Sequence, residues 1–130
     1  MQQQLDGGLI LRSLSEGIAS DAEGLPDFYV RIFTESGEED AVTLGPWTRD
    51  LIADTHPTVT DDDIWVVVDP AAGDKIVSAL LLIPQTWRYD DIEFGVGRVE
   101  LVATDKEYRR RGLVRKLMDV AHQRSAMLRW

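Results

Sequence analysis

The chain has 130 residues, 44% hydrophobic and 28% charged, with no cysteine and a formal net charge of −9. One domain of that length buries roughly two-thirds of its unfolded surface, and the composition excludes general disorder. The absence of cysteine excludes disulfides, thiolate catalysis and cysteine-ligated metals.

In chain order, residues 9–14 (Leu9-Ile10-Leu11-Arg12-Ser13-Leu14) predict a first strand. Ser20 or Asp21 is the expected cap of a helix over 22–36, where Leu25, Phe28, Tyr29 and Ile32 recur at helical spacing. Gly37-Glu38-Glu39-Asp40 breaks that helix. A second helix is expected over 46–54, with Pro46 early and Trp47, Leu51 and Ile52 on one side. Beyond a polar loop, 64–69 and 75–87 predict strands joined by a turn at Asp69 to Asp74. Their near-continuous hydrophobicity predicts a sheet covered on both faces. Arg88 to Gly97 reads as an acidic loop, 98–104 as the next strand and 112–128 as a final helix. Leu113, Leu117, Val120, Ala121 and Leu128 would form that helix's inward face. The element order is therefore strand, helix, helix, three strands, helix, an α+β domain whose sheet is covered by helices.

No apolar stretch reaches membrane-spanning length, and Met1 to Gly8 lacks the pattern of a secretory leader. A cytoplasmic protein without membrane contact is expected. Charge is unevenly placed. Residues 106–130 hold eight of the 14 basic side chains and two acidic ones, while the rest holds six basic against 21 acidic. A compact basic segment on an acidic protein suits a small, highly charged anion and disfavours nucleic acid. The plain alternative is a solvated helix face.

The basic segment opens where a strand gives way to a helix. A helix N-terminus leaves backbone amides without intrahelical partners, and its dipole favours negative charge. If residues 110–114 form that turn, their amides can converge on an anion, Gly112 admits close approach, and Arg109-Arg110-Arg111 add charge. A pyrophosphate is the natural guest.

Asp105-Lys106-Glu107-Tyr108-Arg109-Arg110-Arg111-Gly112-Leu113-Val114 resembles the coenzyme-A-binding motif of the GNAT superfamily of N-acetyltransferases, Arg/Gln-x-x-Gly-x-Gly/Ala after a strand. Val114 stands where the family usually has Gly or Ala, and its β-branched side chain could crowd the phosphate arm. The triple-arginine form resembles the branch that includes the enhanced-intracellular-survival type of aminoglycoside acetyltransferases. The resemblance covers about 98–120 by motif and 9–128 by element order. It implies a GNAT-like acyl-CoA N-acyltransferase fold, three-layered with a mixed, mostly antiparallel sheet flanked by helices, acetyl-CoA as co-substrate and direct transfer to an amine, small molecule or protein. It also implies that Arg109, Arg110, Arg111, Gly112, Leu113 and Val114 hold the pyrophosphate. The backbone of Val102, Ala103 and Thr104 would pair with the pantetheine amides and polarise the thioester carbonyl.

The family fold continues with another strand, a helix and two further strands. Ending at Trp130, the chain is expected to be a single incomplete domain, the acetyl-CoA-binding half of that fold. Its edge at Val99 to Thr104 would then be exposed, and a homo-oligomer is expected.

Glu100 is the candidate general base, a role that needs burial to work well at neutral pH; pairing with Arg98 or Arg109 is the alternative. Asp91 and Glu93 could draw in a cationic amine or simply be solvated. Trp47, Trp65 and Trp87 could wall an acceptor pocket or belong to the core. His56 and His122 lack companions at metal spacing, so no metal is expected. Ser13, Ser15 and Ser78 have no nearby triad pattern, and Gly95-Val96-Gly97 precedes a strand, so it is no dinucleotide fingerprint. Two further readings remain open: a non-catalytic CoA-binding or self-associating module of the same fold, and a generic α/β domain whose arginines serve solubility alone.

Overall fold

Ile64 to Val68 are all buried, and alternate residues on this short strand belong to different cores. Ile64, Val66 and Val68 pack on one face of the sheet, Trp65 and Val67 on the other. A strand wet on neither face must lie between two layers. The computed structural model, which describes residues 2–37, 41–52 and 59–128, has that arrangement. Its sheet runs β1 (Gln3–Gln4), β2 (Ile10–Ser13), β3 (Ile64–Asp69), β4 (Lys75–Tyr89) and β5 (Ile92–Thr104), in that spatial order. Helices α1 (Ala19–Glu35) and α2 (Leu44–Ile52) cover one face through Leu25, Phe28, Tyr29, Ile32 and Leu51. Helix α3 (Leu113–Leu128) covers the other through Leu113, Leu117 and Ala121.

The three-layer α+β architecture agrees with the sequence, but the expected mixed sheet is corrected. Among the described residues every strand pairing is antiparallel. Two helices, not one, separate β2 from β3, so the chain reverses once more than in a strand–helix–strand crossover. The later strands are joined by tight turns. The sheet also gains β1, whose two glutamines carry no apolar alternation to announce a strand.

The second correction concerns Arg88 to Gly97, which is not a loop. It is the far end of a long hairpin in which Trp87 pairs with Phe94, Arg88 with Glu93 and Tyr89 with Ile92. Asp90 and Asp91, at φ 48° and 68°, make the two-residue turn, a conformation short polar residues tolerate. Trp87 meets Phe94 edge-on at 6.5 Å, and Arg88 Nη2 lies 2.6 Å from Glu93 Oε1. Residues 38–40, 53–54 and His56, together with the Leu128 side chain, lie outside the described residues.

Helix α1 begins at Ala19, three positions before the expected start, because Asp21 acts inside its first turn. The Ile18 amide donates to the Asp21 carboxylate, which also receives a bidentate hydrogen bond from Arg12 at 2.8 and 2.9 Å. Both side chains are buried, so this pair ties β2 to α1 inside the protein. Its partners hold the Arg12 guanidinium above its ordinary pKa, with the Asp21 hydrogen bond the largest cause. A Cβ at Gly17 would overlap the same carboxylate. Asp21→Asn strands the buried guanidinium, and urea titration should show a loss of about 3 kcal/mol. The double replacement Arg12→Met/Asp21→Leu should lose clearly less.

Candidate functional site

Between the pairs Ala79–Ala103 and Leu81–Glu100, β5 spends one residue more than β4. The extra residue makes a bulge in which Leu101 sits at φ 51°, a conformation β-strands do not use. The bulge resets the alternation. Val99 and Val102 pack with the α3-side core, while Leu101 and Ala103 pack with the α1/α2 side. Beneath it, the buried Ser78 hydroxyl donates to the Ala103 carbonyl at 3.0 Å and lies 2.8 Å from Thr104 Oγ1. β5 ends the sheet, so among the described residues its outer edge has no strand partner.

Asp105 terminates β5. Its amide donates to the Val77 carbonyl at 2.8 Å, keeping the strand end on β4. Its buried carboxylate accepts from the Glu107 amide at 3.0 Å and from Arg31 of α1 at 2.9 Å, with Lys75 Nζ at 3.3 Å. Burial pushes this carboxyl upward, but the Glu107 amide, Arg31 and Lys75 together hold it below its ordinary value. The next turn carries Tyr108, whose hydroxyl donates to Asp69 at 2.7 Å; that bond is the main reason its pKa is raised. The guanidinium of Arg111 lies 4.9 Å from the Tyr108 ring centroid.

The chain then folds through positive φ at Arg110 (65°) and Gly112 (72°) into α3. Gly112 supplies the first carbonyl of the helix, accepting from Lys116 at 3.2 Å. Nothing stands within 4 Å of a Cβ at Gly112, so the glycine answers to backbone conformation and not to crowding. Among the described residues, the amides of 109–115 donate to no protein acceptor. Arg109, Arg110, Arg111, Arg115 and Lys116 form no ion pair there either. Free amides at a helix start beside uncompensated cations make an anion site.

One cavity of about 380 Å³ joins these parts. Val102, Ala103 and Thr104 line it from β5; Arg109, Arg110, Gly112, Leu113 and Val114 line it from the turn. Arg111 instead lies against Tyr108 and borders a neighbouring cavity with Lys116, Gln4 and Asp6. Ile32, Phe33 and Ser36 of α1 complete the wall, as does Tyr108. Sequence reasoning gave Ile32, Phe33 and Ser36 no place at the site, quoted Asp105 and Tyr108 in the motif without assigning them a role, and weighed Ser78 only as a nucleophile. For the α1 residues the only signal was the helical spacing around Ile32, which shows burial and not which neighbour is met.

The remaining candidates are dispersed. Glu100 is outside this cavity and forms an ion pair with Arg98 at 2.9 Å, its side chain 32% exposed. Glu93 pairs with Arg88 near the hairpin tip, and Asp91 sits in its turn. Trp65 is buried against α3, whereas Trp47 and Trp87 are exposed. Ser13 and Ser15 form a polar cluster with Glu16 and Asp62. His122 lies exposed on α3. Among the described residues no three His, Asp or Glu side chains gather as a metal site, and no helix is long and apolar enough to cross a membrane.

An open-edged, bulged strand thus leads directly into an amide-rich, arginine-flanked helix start. The acetyltransferase (GNAT) domain matches residues 19–127, and the chain belongs to that family. No curated protein sequence matches it significantly. Among solved structures it resembles a GCN5-related N-acetyltransferase from Ralstonia eutropha JMP134, with TM-score 0.64, 21% identity and coverage of 92% of this chain and 77% of that one. Glucosamine-6-phosphate N-acetyltransferase from Arabidopsis thaliana gives TM-score 0.61 at 15% identity, covering 92% and 76%. Saccharomyces cerevisiae N-myristoyltransferase with bound myristoyl-CoA gives TM-score 0.69 at 16% identity, covering 97% of this chain and 30% of that one. At these identities the likeness speaks for the fold.

The Asp105 network has a pH signature. Its folded pKa lies below the ordinary 3.8, so its contribution to stability is present above that value and is lost as pH falls through the folded value. Thermal unfolding between about pH 5 and 2 should therefore fall more steeply for the wild type than for Asp105→Asn, which begins less stable.

Proposed function

We propose that the chain is an acetyl-CoA-dependent N-acetyltransferase that passes the acetyl group directly to an amine. The observation that carries the reading is the shared cavity, in which Arg109, Arg110 and the start of α3 with its free amides meet the bulged, open edge of β5. Arg109, Arg110, Gly112, Leu113 and Val114 take the pyrophosphate. Arg111, outside that cavity, adds charge at its rim. Ile32 and Phe33 give the arm an apolar wall. The backbone of Val102, Ala103 and Thr104 extends the sheet onto the pantetheine amides, as an added strand would.

An amide freed at the bulge is assigned to the thioester carbonyl oxygen. The amine lone pair attacks the carbonyl carbon, and negative charge passes to that oxygen, where a fixed N–H stabilises it. The C–S bond then breaks, its electron pair leaving with the CoA thiolate. The amine proton goes to Glu100, directly or through water, and solvent reprotonates the thiolate. The Arg98–Glu100 ion pair also supports a second reading, a non-catalytic CoA-binding module in which Glu100 is structural. The enhanced-intracellular-survival branch rests on the triple-arginine turn alone. A homo-oligomer is proposed along residues 92–99 of β5, since 102–104 are assigned to pantetheine.

Calorimetric titration of acetyl-CoA tests the site. Binding should weaken as salt rises from about 50 to 500 mM. It should fall about 30-fold or more in Gly112→Glu, which sets a carboxylate at the helix start. Val114→Ala should bind severalfold more tightly if the β-branched side chain crowds the phosphate arm. Thiol release on adding amines separates the two readings: binding without turnover over a broad amine panel is the outcome of the second.

A further inference from the structure

A second groove lies on the α1/α2 face. Ile83 is the cross-strand partner of Arg98 and Leu81 that of Glu100, so the ion pair shares the face that carries Ile83. Farther along β4, with the same alternation, stand Gln85 and Trp87. Trp47 and Leu51 approach from α2, and the groove has a volume of about 600 Å³. Its two tryptophans are 37% and 50% exposed, large apolar surfaces left to solvent, and Arg98 lines the groove with its ion-pair partner Glu100 next to it. Trp87 is nonetheless fixed: its indole N–H donates to Gln85 Oε1 at 2.9 Å, and its ring meets Phe94 edge-on. Arg98 uses its Nε toward Glu100, and among the described residues its terminal nitrogens have no protein acceptor.

We propose that this groove receives the amine acceptor, and that the acceptor is a free α-amino acid with a large apolar side chain. The inference rests on the acyl-transfer reading and names its second substrate. A zwitterion is the ligand whose charges match a fixed cation and anion on adjacent same-face positions. The guanidinium fork takes the α-carboxylate, while the Glu100 carboxylate accepts from the α-ammonium. Trp47 and Trp87 flank the apolar side chain over Ile83. The bulge follows Glu100 directly, so the α-nitrogen is held beside the strand segment assigned to the thioester. The α-ammonium first gives one proton to solvent; the transfer is then the one described above, with the neutral α-amine as nucleophile, its second proton passing to Glu100, and an N-acetyl amino acid and CoA as products. A simple arylalkylamine would leave the Arg98 fork without an anion, and a protein lysine carries no carboxylate next to its amine.

The test titrates the purified chain, with and without acetyl-CoA, with L-phenylalanine and with phenethylamine, which has the same body without the carboxylate. Expected are at least about tenfold tighter binding of phenylalanine, and loss of that preference in Arg98→Gln. Trp87→Ala, with folding checked by circular dichroism, should weaken phenylalanine about tenfold, whereas Tyr89→Ala on the same hairpin should not. Phenethylamine binding as well as phenylalanine would overturn the proposal, as would acetyl-CoA binding with no amino acid bound. Discrimination for phenylalanine without any acetyl-CoA binding would leave the groove chemistry standing and remove the acyl-transfer reading instead.

Discussion

The Asp105 carboxylate is the joint on which the site depends. It lies where an edge strand must hand over to a helix on the other face of the sheet, and it is buried there with a cation from α1 and another from β4. Ion pairs of this kind repay desolvation only when the remaining lone pairs are also used, and the Glu107 amide supplies that further bond. Tyr108 prolongs the network, its hydroxyl on Asp69 and its ring beside Lys75 and Arg111. The arginine turn therefore hangs from packed elements on both sides, which lets five cations stand close together without counter-ions.

The bulge is the second fixed point. A regular β5 would direct successive side chains to alternate faces throughout; the extra residue instead sends Glu100 and Leu101 to the same side. Arg98 and Glu100, before the bulge, thus share the face that carries the groove under α2, while the strand after it fronts the arginine cavity. Two recesses formed by different helices come to share one strand.

The arginine turn was legible in the sequence because its physics is local: glycine, clustered charge and the start of an amphipathic helix lie within a few residues. The strands of the core were legible for a similar reason, since near-continuous Val and Ile have no other home than a sheet covered twice. The bulge was not legible. Leu101 has no side-chain reason to take a positive φ, and one extra residue shows only when β5 is counted against β4. The hairpin tip was misread because Asp90, Asp91 and Glu93 look like a solvated loop. What makes it a hairpin is the cross-strand match of Trp87 with Phe94 and Arg88 with Glu93, which composition alone does not display. Glu100 was singled out as an acid on β5 with Arg98 or Arg109 as its possible partner, and only the fold, in which Arg98 shares its face, decides between the two.

The placement of charge has a consequence for how ligands arrive. Seen from far away the molecule is an anion of nine net charges, and it repels other anions. Seen from within a few ångströms of the α3 start, it is a cluster of guanidinium groups. These two fields have different ranges, and salt separates them, because screening at about 0.1 M acts over about 10 Å and removes the distant repulsion before the near attraction. A small polyanion should therefore have its fastest encounter at an intermediate ionic strength, slowed by the body of the protein in dilute buffer and by the loss of its target field in concentrated salt.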